Sequence, residues 1–150
     1  MSTIELANDA ARVKREIPDF AGLIGGSGPM AEVLRTVERV ANTDLPVLIL
    51  GESGTGKEVI ARTIHLTSPR ASQPFIAVPC DALTEGLLEA ELFGHTADAF
   101  PGIGTERVGV LVEARGGTVL LDDVTDVSPA LQAKIVQALR TNEIQPLGSA

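Results

Sequence analysis

Apolar residues along this chain follow two patterns, one typical of helices and one typical of strands. Apolar positions spaced three and four apart predict helices at residues 28–41, 57–66, 85–92 and 105–114, and a last helix that begins at Ser128. Short apolar runs predict strands at residues 46–50, 74–78 and 118–121. Because strands and helices alternate, the chain is predicted to be α/β, with a parallel sheet between two layers of helices.

Proline and small polar residues mark where several of these helices begin or end. Pro18 ends a helical pattern over residues 1–20, which predicts a leader or linker helix before a folded domain at residues 21–150. Caps are predicted at Ser27, Thr84 and Ser128. The last helix is expected to carry four apolar side chains inward, namely Leu131, Ile135, Val136 and Leu139.

Composition narrows the function classes. The formal net charge of −8 argues against direct contact with a nucleic-acid backbone. No apolar run approaches the length of a membrane helix, and residues 1–9 lack the features of a signal peptide, so we expect a cytoplasmic protein with no membrane contact. Cys80 is the one cysteine, which excludes intramolecular disulfides, and we expect it to be a small buried apolar residue.

A glycine-rich segment directly follows the apolar run at residues 46–50. Its three glycines accept positive φ, so successive backbone N–H groups can turn around an anion, and the next helix directs its positive end to the same place. Lys57 adds a charge for the β- and γ-phosphates of a nucleotide. The predicted nucleotide-binding residues are Gly51, Glu52, Ser53, Gly54, Thr55, Gly56, Lys57 and Glu58. The alternative is a glycine-rich turn without a ligand.

Two carboxylates follow the apolar run at residues 118–121. In α/β proteins ligands bind beyond the carboxyl ends of the strands, and an acid there can hold Mg²⁺ beside a phosphate loop. Asp122 is therefore the predicted metal ligand, and Asp123 is the predicted catalytic residue that orients water against the γ-phosphate. An ordinary strand-to-turn sequence is the alternative.

Several longer motifs occur in an order that resembles one protein family. The motifs are Leu23-Ile-Gly25, Gly51-Glu-Ser-Gly-Thr-Gly-Lys-Glu58, Pro74-Phe-Ile-Ala-Val78 with Cys80, Glu91-Leu-Phe-Gly-His95 and Gly116-Gly-Thr-Val-Leu-Leu-Asp122. In these motifs the chain is similar to the AAA+ ATPase domain of bacterial sigma-54-dependent transcription activators, also called enhancer-binding proteins, from about Ile24 to Gly148. Glu58, unusual in a general phosphate loop, is the residue that this family carries there.

The resemblance implies a three-layer P-loop NTPase core that binds ATP with Mg²⁺. It implies a ring-shaped oligomer that hydrolyses ATP to remodel RNA polymerase holding its sigma-54 factor. It also implies that adenine lies near Ile24 and Gly25.

The chain departs from the family pattern at three places. Asp98-Ala-Phe-Pro-Gly-Ile103 stands where the family has the sigma-contacting loop Gly-Ala-Phe-Thr-Gly-Ala, so a working contact and an ordinary surface loop both remain open. Asp123 replaces the usual Glu, whose extra methylene brings its oxygen nearer the attacking water. The arginine fingers, sensor arginine and helical lid of the family would come after Ala150, so the fold is expected to be incomplete at the C-terminus.

Three function classes therefore remain open: a motor ATPase acting in transcription initiation, a nucleotide-binding regulatory module with little hydrolysis and no sigma-factor contact, and a small-molecule kinase.

Overall fold

The computed structural model describes residues 28–100 and 104–149. The chain divides into two compact units, Met1–Ser72 and Gln73–Ala150. The first contains the glycine-rich loop, and the second contains the paired strands and both candidate aspartates. The predicted leader at residues 1–20 and the Ser27 cap lie outside the described residues.

Two helices form the described part of the first unit. Helix α1 spans Gly28–Ala41 and α2 spans Lys57–Thr67, close to their predicted bounds. The helices pack against each other, and their buried apolar residues are Val37, Ala41, Ile60 and Ala61. The segment between them is attached to the end of α2 by Arg70, whose guanidinium lies 2.5 Å from the Thr43 carbonyl and 3.2 Å from the Asp44 carboxylate.

The prediction of a strand at residues 46–50 is wrong, because this segment forms no hydrogen-bonded ladder with another strand in the described part of the chain. Val47, Leu48 and Leu50 are 44%, 70% and 83% exposed. An apolar run can form a strand only where a second strand satisfies its backbone groups. Among the described residues, no strand pairs with this run.

A parallel pair of strands lies at the centre of the second unit. Strand β1 spans Phe75–Pro79, and β4 spans Thr118–Asp122. Their register runs from Phe75 opposite Thr118 to Pro79 opposite Asp122. Both strands lie within one residue of their predicted bounds, and the predicted parallel pairing is confirmed.

Helices and short strands complete this unit. Helix α3 spans Glu85–Phe93, α4 spans Val110–Glu113, a 3₁₀ turn spans Val124–Asp126, and α5 spans Pro129–Thr141. Strand β2, Gly94–His95, pairs antiparallel with β3, Arg107–Val108. The core joins both strands of the parallel pair to α3 and α5; its buried members are Val78, Cys80, Leu88, Leu92, Phe93, Val110, Val127, Leu131 and Ile135.

Two helix predictions need correction. The helix predicted at residues 105–114 is only four residues long, because Arg107–Val108 uses its backbone groups to pair with β2. Helix α5 buries Leu131 and Ile135 as predicted, but Val136 and Leu139 are 46% and 54% exposed. The core contacts only one face of α5, and these two side chains fall outside it.

The segment after α5 pairs with β2. His95 forms an isolated parallel bridge with Leu147, the Leu147 amide donates to the Gly94 carbonyl at 3.0 Å, and the Thr96 amide donates to the Leu147 carbonyl at 3.0 Å. Residues 94–96 therefore lie between two neighbours, β3 on one side and Leu147 on the other. No helix among the described residues is long and apolar enough to cross a membrane.

Candidate functional site

The glycine-rich loop curls tightly into the start of α2. Gly54 and Gly56 have φ values of 75° and 88°, which glycine adopts without the Cβ clash that other residues meet. Gly56 is the N-cap of α2, and its carbonyl accepts the Ile60 amide at 3.1 Å. The first-turn amides of α2 follow directly, and such amides are typical anion ligands. Gly54 and Gly56 thus take the positive φ that the sequence allows at the three loop glycines, whereas Gly51 does not.

Lys57 bends back over this loop. Its Nζ donates to the Gly51 carbonyl at 3.2 Å and to the Glu52 carbonyl at 3.1 Å. Among the described residues, the acceptors of this ammonium group are these two neutral carbonyls, and Lys57 is half-buried. A phosphate group would offer a charged acceptor, which forms stronger hydrogen bonds than a carbonyl.

Of the remaining loop side chains, those of Thr55 and Glu58 make hydrogen bonds, and those of Glu52 and Ser53 face solvent. Thr55 donates from its hydroxyl to the Glu52 carbonyl at 2.7 Å, whereas Glu52 and Ser53 are exposed to solvent. Glu58 lies in the first turn of α2 and accepts two hydrogen bonds from Arg62, at 2.8 and 3.0 Å. The Arg62 pair is an i,i+4 contact on the helix surface, so Glu58 has a structural partner as well as its place in the loop motif.

The two candidate carboxylates lie at the end of β4. Asp122 is half-buried, and its Oδ1 accepts the Asp123 amide at 3.2 Å. Asp123 is exposed and has φ 52° and ψ 47°, in the left-handed region that aspartate tolerates better than most residues. Asp122 thus has the backbone conformation of a strand, whereas Asp123 has that of a left-handed turn.

Cys80 lies beside this strand end. It is 3% exposed, as expected for a small buried apolar residue, and its amide donates to the Asp122 carbonyl at 3.0 Å. Burial raises the pKa of the Cys80 thiol, and negative charge from nearby carboxylates raises the pKa further. In decreasing order of effect these are Asp122, Asp81, Asp123 and Asp126. Sequence analysis missed this acidic setting, although an aspartate follows each of the paired strands.

His95 has structural contacts on both sides of its ring. Its Nδ1 lies 3.2 Å from the Thr96 carbonyl, and Phe100 meets the ring edge-on at 5.4 Å between centroids. The His95 residue as a whole is 8% exposed. These contacts give His95 a packing role at the base of the loop that contains Asp98.

Several predicted site residues lie beyond what the structure describes. Ile24 and Gly25 are outside the described residues, as are Pro101 and its two successors in the predicted sigma-contacting loop. The phosphate loop and Asp122 belong to different units, so their joint site stays a prediction. No group of three or more His, Cys, Asp or Glu side chains at residues 28–100 and 104–149 could hold a metal ion on its own.

Comparison with known proteins decides the family. The model of the sigma-54 interaction domain matches residues 23–150, which is most of the chain. The chain belongs to the sigma-54 interaction domain family. The resemblance predicted from the motifs is therefore confirmed, and the matched residues agree with the predicted extent.

Relatives of this domain are regulators of transcription. The chain is 49% identical over 129 residues to the Nif-specific regulatory protein of Rhodobacter capsulatus, covering 86% of the chain and 22% of that protein. It is 48% identical over 132 residues to the hydrogenase transcriptional regulatory protein HoxA of Cupriavidus necator, covering 87% and 27%. It is 46% identical over 128 residues to the transcriptional regulatory protein ZraR of Salmonella typhimurium, covering 85% and 29%. The chain thus spans less than a third of each relative.

Solved structures of one further protein share the fold of this sigma-54 interaction domain. NtrX from Brucella abortus in complex with ADP matches with a TM-score of 0.75 and 38% identity, over 98% of this chain and 31% of NtrX. NtrX in complex with ATP matches with a TM-score of 0.74 and 35% identity, over the same shares. The predicted fold class, an α/β P-loop NTPase core of the AAA+ type, is confirmed.

Proposed function

We propose that this sigma-54 interaction domain binds ATP with Mg²⁺ and couples ATP hydrolysis to remodelling of RNA polymerase that carries sigma-54. The observation that carries the proposal is the Lys57 ammonium, which in the described part of the chain is held over the curled loop by the carbonyls of Gly51 and Glu52. The family match and the nucleotide complexes of NtrX support it. We also propose ring-forming self-association, a sigma-54 contact and a cytoplasmic location, each supported by the family match.

The phosphate loop has a defined task in this proposal. Backbone amides of residues 51–56 and of the first turn of α2 bind the phosphates, and Lys57 exchanges its two carbonyl acceptors for phosphate oxygens. The exchange is favourable because a charged acceptor forms a stronger hydrogen bond with an ammonium group than a carbonyl does. Ile24 and Gly25 would contact the adenine.

Asp122 is the residue that we assign to Mg²⁺. The donor chemistry fits, because Mg²⁺ prefers oxygen ligands and commonly uses one or two carboxylates, with phosphate and water completing its shell. The Asp122 Oδ1 accepts the Asp123 amide, which helps to hold the carboxylate in position. When bound, Mg²⁺ would offset the negative charge of the phosphates.

Asp123 is the residue that we assign to the attacking water. Its carboxylate can accept a proton or orient water, as the Glu of related domains does, but its side chain is one methylene shorter. A misplacement of about 1 Å costs on the order of a hundredfold in rate. We therefore expect slow hydrolysis by this domain.

ATP binding tests the proposal directly. Lys57→Ala should abolish ATP binding in isothermal titration, because the phosphates lose their strongest donor. Arg39→Ala is the matched control, since Arg39 is an exposed cation on α1 of the same unit. Equal affinity of wild type and Lys57→Ala would contradict the assigned role of the loop.

The metal assignment needs its own pair of variants. Asp122→Asn should remove the dependence of ATP affinity on added Mg²⁺, whereas Asp81→Asn should keep it. Asp81 is exposed and lies two residues after the end of β1, so Asp81→Asn removes one negative charge near the carboxyl ends of the paired strands, as Asp122→Asn does. If both variants respond alike, Asp122 contributes general negative charge and is not a ligand.

A second candidate function is a nucleotide-binding regulatory module with little hydrolysis, which Asp123 and Pro101 favour. Asp123→Glu separates the two candidates. If the motor proposal holds, the substitution raises the rate of phosphate release by up to about a hundredfold. An unchanged slow rate would refute the argument that the shorter Asp123 carboxylate limits hydrolysis, and phosphoryl transfer to an added acceptor would revive the kinase alternative.

A further inference from the structure

The Glu52 carbonyl accepts three donors. The Thr55 hydroxyl lies at 2.7 Å, the Thr55 amide at 3.3 Å and the Lys57 ammonium at 3.1 Å. Two of these donors belong to one residue, so Thr55 joins both its backbone and its side chain to the start of the loop. The third donor is the group that leaves when phosphate binds.

The Thr55 hydroxyl also fills the space beside Gly51. A Cβ on Gly51 would lie 2.7 Å from the Thr55 Oγ1, which is closer than real Cβ contacts. The next neighbours of that Cβ, Lys57 Cγ at 3.7 Å and Thr55 Cβ at 3.8 Å, are at ordinary distances. Gly51 is not among the positive-φ residues, so the hydroxyl and not the backbone conformation is the obstacle to a side chain there.

We propose that Thr55 is a positioning residue of the phosphate loop, and that Gly51 is required because the Thr55 hydroxyl occupies its side-chain space. The hydroxyl holds the loop in its curled form through the Glu52 carbonyl. It also keeps that carbonyl hydrogen-bonded when Lys57 turns to the phosphates. Thr55 thus acts through Glu52 and Lys57 without itself contacting a phosphate through its side chain.

The inference rests on the proposed function for its first test, ATP affinity. Thr55→Val keeps the shape of the side chain and removes the hydroxyl, so Lys57 becomes the sole side-chain donor to the Glu52 carbonyl. We expect ATP affinity to fall roughly three- to tenfold, the value of one hydrogen bond, and Thr55→Ser to restore it to near wild type. Affinity of Thr55→Val equal to that of wild type would overturn the inference.

The second test needs no nucleotide. Gly51→Ala should lower the urea midpoint of the full chain when Thr55 is present, because the hydroxyl must rotate away and give up its 2.7 Å hydrogen bond. In a Thr55→Ala background the obstacle is gone, so the same substitution should cause a clearly smaller loss. A double-mutant cycle measures this coupling.

Gly86→Ala is the control substitution, since a Cβ at residue 86 would meet nothing within 4 Å. Its effect should be the same with Thr55 and with Thr55→Ala. Additive effects of Gly51→Ala and Thr55→Ala would overturn the inference, and they are also the result expected if the Thr55 hydroxyl served only to contact phosphate. If wild type binds no ATP, the proposed function fails, while the cycle still tests the contact between Thr55 and Gly51.

Discussion

Two segments of this domain follow the same plan, an apolar run, a left-handed turn and a helix. The first runs from residue 46 through Gly54 and Gly56 into α2, and the second runs from β4 through Asp123 to α5. The runs differ in their surroundings. All five residues of β4 are half-buried and paired with β1, whereas Val47, Leu48 and Leu50 are exposed and pair with no strand at residues 28–100 or 104–149.

The difference shows what defines the phosphate loop. Its conformation is set by contacts within seven residues, from Thr55 and Lys57 to the carbonyls of Gly51 and Glu52. The turn after β4 instead follows a strand that long-range pairing holds in place. The loop keeps these local hydrogen bonds although the run before it has no ladder among the described residues.

The largest expected effect tests the difference in packing. Leu131→Ala should lower the free energy of unfolding by about 2–5 kcal/mol, because it opens a cavity in the core where Leu131 is 3% exposed. Leu50→Ala should change it by less than about 0.5 kcal/mol, since Leu50 is 83% exposed. The chain has no Trp or Tyr, so urea unfolding is best followed by far-ultraviolet circular dichroism. Similar losses for both variants would show that the exposed run is packed in solution.

A second prediction compares the two left-handed turns. Gly56→Ala should cost about 1–2 kcal/mol, because alanine has a Cβ that opposes a φ of 88°. Asp123→Gly should cost little, because glycine adopts the φ of 52° without strain. The measurement is urea unfolding without nucleotide, which keeps any loss of ligand binding out of the comparison. A large loss for Asp123→Gly would mean that its carboxylate, and not the turn, is the stabilising feature.

Helix starts provide the third prediction. The Ser128 hydroxyl accepts the Leu131 amide at 3.3 Å and also donates to the Glu85 carboxylate, so Ser128→Ala should cost about 1 kcal/mol. Thr84 is the N-cap residue of α3, but its side chain makes no capping hydrogen bond. Thr84→Ala should accordingly cost only a few tenths of a kcal/mol. Equal losses in thermal unfolding would contradict the assigned difference between these caps.

The smallest effect concerns the thiol beside β4. Because the folded state raises the pKa of Cys80, it holds the thiol proton more tightly than the unfolded chain does. The resulting stabilisation is complete below the ordinary thiol pKa and is lost as pH rises through the raised pKa of the folded state. Across this alkaline range, the free energy of unfolding should fall less steeply with pH for Cys80→Ala than for wild type. Parallel declines would mean that the thiol proton does not contribute.

Much of this architecture was predictable because its causes are local. The apolar stretches of β1 and β4 form strands because each has the other as a partner, whereas the glycines before Lys57 and the Ser128–Pro129 start of α5 each determine their own conformation. The shape of the phosphate loop was predictable for the same reason. Its assigned binding roles, like those of Asp122 and Asp123, remain predictions.

The errors have long-range causes. Residues 107–108 are not helical because they pair with β2, which lies a dozen residues away in sequence. Residues 46–50 have the composition of a strand, but composition does not supply a partner. Val136 and Leu139 lie at positions that fit the apolar face predicted for α5, yet the core covers only the part of that face that contains Leu131 and Ile135. The contact between Thr55 and the space beside Gly51 also depends on a curled loop, which spacing alone does not reveal.

The bridge between His95 and Leu147 has a practical consequence for any shortened version of this domain. A chain ending before residue 147 would leave the Gly94 carbonyl and the Thr96 amide without the backbone partners they have here. The base of the segment that contains Asp98 would then rely on its short pairing with β3 alone. Recombinant fragments intended for sigma-factor studies should therefore extend at least through Leu147.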